Sequence, residues 1–203
     1  MSSGTKIQKK RDLFGLQIAT LRRRGCPRPV VEVLAAQEKT VVRRVSDTEL
    51  AETAVPFLPA IPRKILSLGE QMEMLWGRGV VDYVGVKPWL IRDAVETPSS
   101  PYYIFDMETN LEGEMKPRGA GTLLRKRGRR GLTGSEAIAL AMHTDVLSHG
   151  CVVALESGYG SDHVLDLFVD FGRPRFCWVH LDADHGGKGL ASCTPGSSRL
   201  APR

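Results

Sequence analysis

Apolar positions recur at helical spacing along parts of this chain, and short continuous apolar runs elsewhere predict strands. Near the start, Leu13, Phe14, Leu16, Ile18 and Leu21 include positions at helical spacing. Gly15 weakens that helix, and Arg22-Arg23-Arg24 closes it with the positive charge that a helix C-terminus favours. Gly25, Pro27 and Pro29 break the chain, and a second short helix is expected over residues 30–39. Ser46 and Glu49 have capping-box spacing, which predicts a helix beginning at Asp47. Residues 55–62 hold three prolines among large apolar side chains, so they are read as an extended segment laid over the core. Leu68, Met72, Leu75 and Trp76 give one apolar face to a helix over residues 67–76. A further short helix is expected over residues 87–95, with Pro88 in its first turn.

From residue 102 strand-like apolar runs appear between the helices. Residues 102–107 are aromatic and β-branched and read as a strand. Residues 117–128 read as a helix ended by Gly128. Thr133 and Glu136 form a capping box, which opens a helix carrying Ile138, Ala141 and Met142 on one face. Three apolar runs follow, at residues 151–155, 164–169 and 176–181. Turns at residues 157–162 and 171–174 separate them. Short turns between strands make an antiparallel meander. The fold class predicted is α+β, a small antiparallel β-meander packed against several short helices. No strand–helix–strand unit with a Gly-rich phosphate loop occurs, which disfavours a nucleotide-binding α/β fold.

Charge divides the chain. Residues 1–45 hold eleven Lys or Arg against three acids, although the whole chain carries only +5. The excess is therefore a property of the N-terminal stretch. It is read as a basic arm, partly helical or disordered, ahead of a single α+β domain at residues 46–203. At 203 residues and 42% hydrophobic content the chain can bury a real core. No run of about 18 apolar residues exists to span a bilayer, and the polar, basic first residues do not resemble a secretory signal. A cytoplasmic location is expected, with no membrane partner. Cys26, Cys151, Cys177 and Cys193 show no CxxC pair, so neither a zinc ribbon nor a disulfide framework is indicated.

Four ordered segments carry a resemblance. They are Pro-Phe-Leu-Pro-Ala-Ile-Pro at 56–62, Glu-Thr-Pro-Ser-Ser-Pro-Tyr-Tyr-Ile-Phe-Asp at 96–106, Gly-Arg-Arg-Gly-Leu-Thr-Gly-Ser-Glu-Ala-Ile-Ala-Leu-Ala at 128–141, and Gly-Leu-Ala-Ser-Cys at 189–193 followed by Ser198-Arg199. Over residues 56–199 the chain resembles a bacterial family of uncharacterised domains, a domain of unknown function. That resemblance implies no activity. It does mark two departures. Glu156-Ser157-Gly158 stands where members show Gly-Ser-Arg, and Thr194-Pro195 interrupts a Ser-Cys-Gly-Ser-Arg ending. The N-terminal 45 residues lie outside it.

Several side chains could carry chemistry. On a strand, His180, Asp182 and Asp184 would share one face, and with His185 they form a candidate metal set; a polar turn explains the same residues. Cys193, in a Gly/Ser-rich loop, is a candidate nucleophile, and a buried Cys is its alternative reading. Ser157 and His163 stand near Tyr159 and Asp162, but no nucleophile elbow surrounds Ser157. His143 suits a last helical turn through the helix dipole. Arg125, Arg127, Arg129 and Arg130 are candidate phosphate contacts, and Tyr159 and Arg199 candidate ligand contacts. The expected function is a non-catalytic binding or structural domain that meets nucleic acid weakly through residues 1–45. The alternative is a small enzyme or ligand-binding protein, with Ser157, His163 and Cys193 at one edge of the meander. No cofactor is expected.

Overall fold

A two-stranded ribbon buried on both faces organises the computed structural model, which describes residues 3–46, 54–76, 85–109, 115–184 and 189–194. The ribbon joins β1 (Val55–Ala60) to β3 (Tyr102–Met107), antiparallel, with Phe57 opposite Phe105 and Ala60 opposite Tyr102. Pro56 and Pro59 fit in β1 because the ribbon has only two strands, so β1 has a single ladder neighbour. Side chains alternate across the pleat. Phe57, Tyr103 and Phe105 enter one apolar cluster, while Leu58, Tyr102 and Ile104 enter another.

The first cluster is built with α1 (Ser3–Arg23), α2 (Arg28–Ala35) and α3 (Glu38–Ser46). Phe14, Gln17, Ile18 and Leu21 form the inward stripe of α1. Gln17 fills an apolar slot because its Nε2 donates to the Phe57 carbonyl at 2.9 Å. Gly25 ends the helix at φ +79, while Cys26 N–H reaches back to Leu21 O, a Schellman closure. The predicted second helix is divided at Ala36 and Gln37 into α2 and α3. Residues 1–45, expected as a basic arm apart from the domain, are thus helical from Ser3 onward. Their apolar faces share a core with the ribbon. The helix expected from Asp47 lies outside the described residues.

The second cluster lies between the ribbon, α4 (Leu68–Trp76), α6 (Gly134–His143) and one face of the meander. The meander is a four-stranded antiparallel sheet in the order β2 (Arg92–Asp93), β4 (Val152–Tyr159), β5 (His163–Asp170), β6 (Arg173–His180). Val152, Ala154, Leu165, Leu167 and Phe176 face this cluster. Val153, Val164 and Val179 face the other way, onto Ala120 and Leu124 of α5 (Pro117–Lys126). α7 (Val146–His149) is a single turn between α6 and β4.

Three local outcomes differ from expectation. Residues 87–95 form one 3-10 turn, Pro88–Leu90, and then strand β2, because Arg92 and Asp93 find ladder partners in Gly158 and Ser157. The predicted turn at residues 157–162 starts late. β4 runs through Tyr159 across an irregularity between Ala154 and Gly158, and this carries Ser157 inside the sheet. Pro174 lies within β6, where an edge position tolerates it. The capping box of α6 forms as predicted, with Thr133 and Glu136 bonded reciprocally.

If α1 shares the core, deleting its central ring will be felt globally. Phe14 packs its ring 5.4 Å from Tyr103 and 6.2 Å from Phe57. Phe14→Ala is expected to lower the stability of a single cooperative denaturant transition by about 3–5 kcal/mol. An unchanged midpoint would detach α1 from the domain.

Candidate functional site at the meander edge

The residues singled out in the sequence are dispersed by the fold, and most are consumed by structure. Ser157 is fully buried. Its hydroxyl donates to Asp93 and accepts from Gly134 N–H at 2.8 Å, which ties β2 to the first turn of α6. Cys193 is fully buried in the second cluster, and its backbone exchanges two hydrogen bonds with Arg130. Neither side chain is exposed to a substrate. His163 does line the meander edge. It stands across the ladder from His180, with the rings 5.0 Å apart and nearly perpendicular. Tyr159 stacks on Trp178 at 4.0 Å. Arg199 and His185 lie outside the described residues.

The strand ends at His180, so the alternation expected to align Asp182 and Asp184 with it stops there, and His185 of the candidate metal set lies outside the described residues. Asp182 sits in the turn beyond, where the period-2 argument no longer holds. Both its oxygens accept from Arg118, at 2.9 and 3.0 Å, and that pairing holds its carboxyl below the usual range. Among the described residues, no three His, Cys, Asp or Glu side chains are placed to hold an ion.

The basic candidates fall into two populations. Arg125 and Arg127 are exposed on α5 and just after it. Arg129 and Arg130 are interior: each side chain is 10% exposed. Arg129 pairs with Asp106 at 2.6 Å and Glu108 at 3.3 Å, and donates to the Ser192 hydroxyl at 2.9 Å. Arg130 forks onto Glu136, with both bonds at 2.7 Å. Burial alone would raise the Glu136 carboxyl; the Arg130 fork, Thr133 N–H and the Tyr102 hydroxyl outweigh it and hold the group ionised. These two arginines are scaffold, and phosphate contact by them is corrected to a structural role.

What the meander edge does form is a cleft of about 390 Å³ between β2, the β4–β5 hairpin and α5. Arg92, Arg118, Arg125 and His163 are among its polar walls. Arg118 belongs to a run rich in Lys and Arg over residues 116–130, but Arg92 carried no signal, because only the β2–β4 pairing brings it there. Comparison with known proteins adds no assignment: no family model matches the chain, and neither curated proteins nor solved structures give a match.

His143 ends α6, and burial pushes its pKa down to about 4. Its Nε2 is buried with no hydrogen-bond partner. It is therefore neutral at pH 7, and the dipole explanation does not apply. A depressed histidine makes the unfolded chain the better proton acceptor, so its contribution is full above about pH 6.5 and is lost as pH falls toward 4. The wild type is expected to lose stability across that interval, and His143→Leu to lose less; parallel curves would refute the assignment. Burial also raises the thiols of Cys26 and Cys177 to about 11 and Cys151 to about 12. A disulfide-exchange reagent at pH 7 should therefore find no fast thiol in the native protein. Rapid stoichiometric modification of Cys193 would restore it as a nucleophile.

Proposed function

We propose that the protein is a non-catalytic binding domain that holds nucleic-acid phosphates weakly, without sequence preference, through the basic outer surface of α1–α3. The observation that carries this reading is how α1 is docked. Its apolar stripe is locked into the ribbon cluster, so its cations are held in water on a rigid helix. Lys9, Arg11, Arg22, Arg24 and Arg43 are exposed, and no carboxylate among the described residues pairs with any of them. Arg11 and Arg22 stand about three turns apart, roughly 16 Å along one side of the helix. Such an array releases counterions from a phosphate backbone, and binding by that route is steeply salt-dependent. Base stacking has no support, since Phe14 is buried.

One further fact favours binding over catalysis. The buried Ser157 and Cys193 remove the nucleophiles that the enzyme reading needs. Among the described residues no helix is long and apolar enough to cross a membrane, so a bilayer partner has no support from a spanning helix. A cytoplasmic setting suits this reading, because all four cysteines are free.

Fluorescence anisotropy with a labelled duplex of arbitrary sequence tests the proposal. Binding is expected at low salt and should collapse as salt rises. The triple variant Arg22→Glu, Arg23→Glu, Arg24→Glu should bind more weakly, with the log–log salt slope reduced by about 1 for each phosphate that the helix no longer neutralises. No binding at low salt, or equal affinity of the variant, would overturn it.

A further inference from the structure

The meander-edge cleft carries an unbalanced charge of its own, separate from α1. Two carboxylates line it, and one of them is paired with a cation. Asp93 pairs with Arg63 at 3.0 Å and accepts from the Ser157 hydroxyl. Glu156 accepts from Gly131 N–H at 3.3 Å and keeps its negative charge. Arg118 is braced by the Asp182 fork and lies 3.6 Å from Asp162. The remaining two guanidiniums are different. Among the described residues, Arg92 bonds only to the backbone carbonyls of Trp89 and Ile91, at 2.8 and 3.0 Å, and Arg125 only to the Thr122 hydroxyl, at 3.4 Å. Neither has a carboxylate partner among the described residues.

Two guanidiniums against the single uncompensated carboxylate of Glu156, on the walls of a concave site, leave a net positive charge that favours an anionic guest. The guanidinium fork matches the oxygens of phosphate in a bidentate way, which an ammonium cannot do. The cleft is not polar throughout. Leu155, Leu181 and Pro117 give it an apolar wall. Its volume, about 390 Å³, falls within the range of small-molecule sites. We propose that this cleft binds a small organic phosphate monoester, its head held by Arg92 and Arg125 and its body laid against Leu155 and Leu181. Arg118, fixed in place by Asp182, adds positive potential and keeps the α5 wall in register with the turn after β6. The inference goes beyond the nucleic-acid reading and uses different residues.

Calorimetric titration of the full chain with phenyl phosphate tests it. Phenyl phosphate should bind, while phenol, which lacks the anion, should give no heat. Arg92→Ala and Arg125→Ala should each weaken phenyl phosphate by about tenfold, the scale of one charge-assisted hydrogen bond. Arg173→Ala removes an exposed cation at the far hairpin and should leave the affinity unchanged. The α1 triple variant, made for the duplex assay, should also keep it. No heat with phenyl phosphate overturns the cleft and leaves the duplex result standing. Equal weakening by Arg173→Ala, or loss of binding in the α1 triple variant, would trace the affinity to diffuse charge and overturn the cleft as well. All variants lie on the surface, and circular dichroism checks that each is folded.

Discussion

The carboxylate of Glu136 is the point on which this structure closes. It is fully buried, a placement that costs several kcal/mol unless every oxygen finds a partner. The partners come from different parts of the chain. Thr133 N–H comes from its own helix cap, the Tyr102 hydroxyl from β3 at 2.8 Å, and the Arg130 fork from the loop before α6. Arg130 in turn shares a backbone ladder with Cys193, and Arg129 beside it grips the carbonyl of Asp106 and the hydroxyl of Ser192. Ribbon, buried helix and the 189–194 segment are therefore held to one geometry. Removing Arg130 alone would strand the Glu136 charge in an apolar interior.

Signals confined to a few residues were legible in the sequence. The apolar run at residues 164–169 marks β5, and the Thr133 and Glu136 pair marks the start of α6. Aromatic and β-branched content marks β3 to the residue. Where the sequence misleads, the deciding interaction is distant. Residues 87–95 have helical propensity, but the open edge of β4 claims Arg92 and Asp93. Ser157 reads as a turn residue because nothing local reveals that Gly134 N–H and Asp93 wait for its hydroxyl.

The same limit governs the charges. Arg125, Arg127, Arg129 and Arg130 look alike in a row of letters, yet two face water, one pairs with half-buried Asp106 and one with fully buried Glu136. A basic run reports how many cations are present; only the fold reports which of them are already spoken for. Likewise the N-terminal helices read as an appendage because their charge is conspicuous. Their inward face is a sparse stripe in which Gln17 takes the place of an apolar residue. The candidate site suffers most, since Arg92 reaches the cleft only through a strand of two residues.

The 189–194 segment has one more implication, for the order of events during synthesis. Gly189 sits at φ +85, and a Cβ there would come 2.4 Å from the Cys151 carbonyl, so the segment lies directly against the start of β4. From there it bridges Val153, then Glu108, then Arg130. Its partners are all made earlier by the ribosome, some of them by far. Helices α1–α3 can form as they emerge, but the second cluster cannot close until residue 193 has left the exit tunnel. A nascent chain stalled short of that point lacks Ala191 and Cys193 from this core and leaves the backbone groups of Glu108 and Arg130 that pair with Ser192 and Cys193 without those partners.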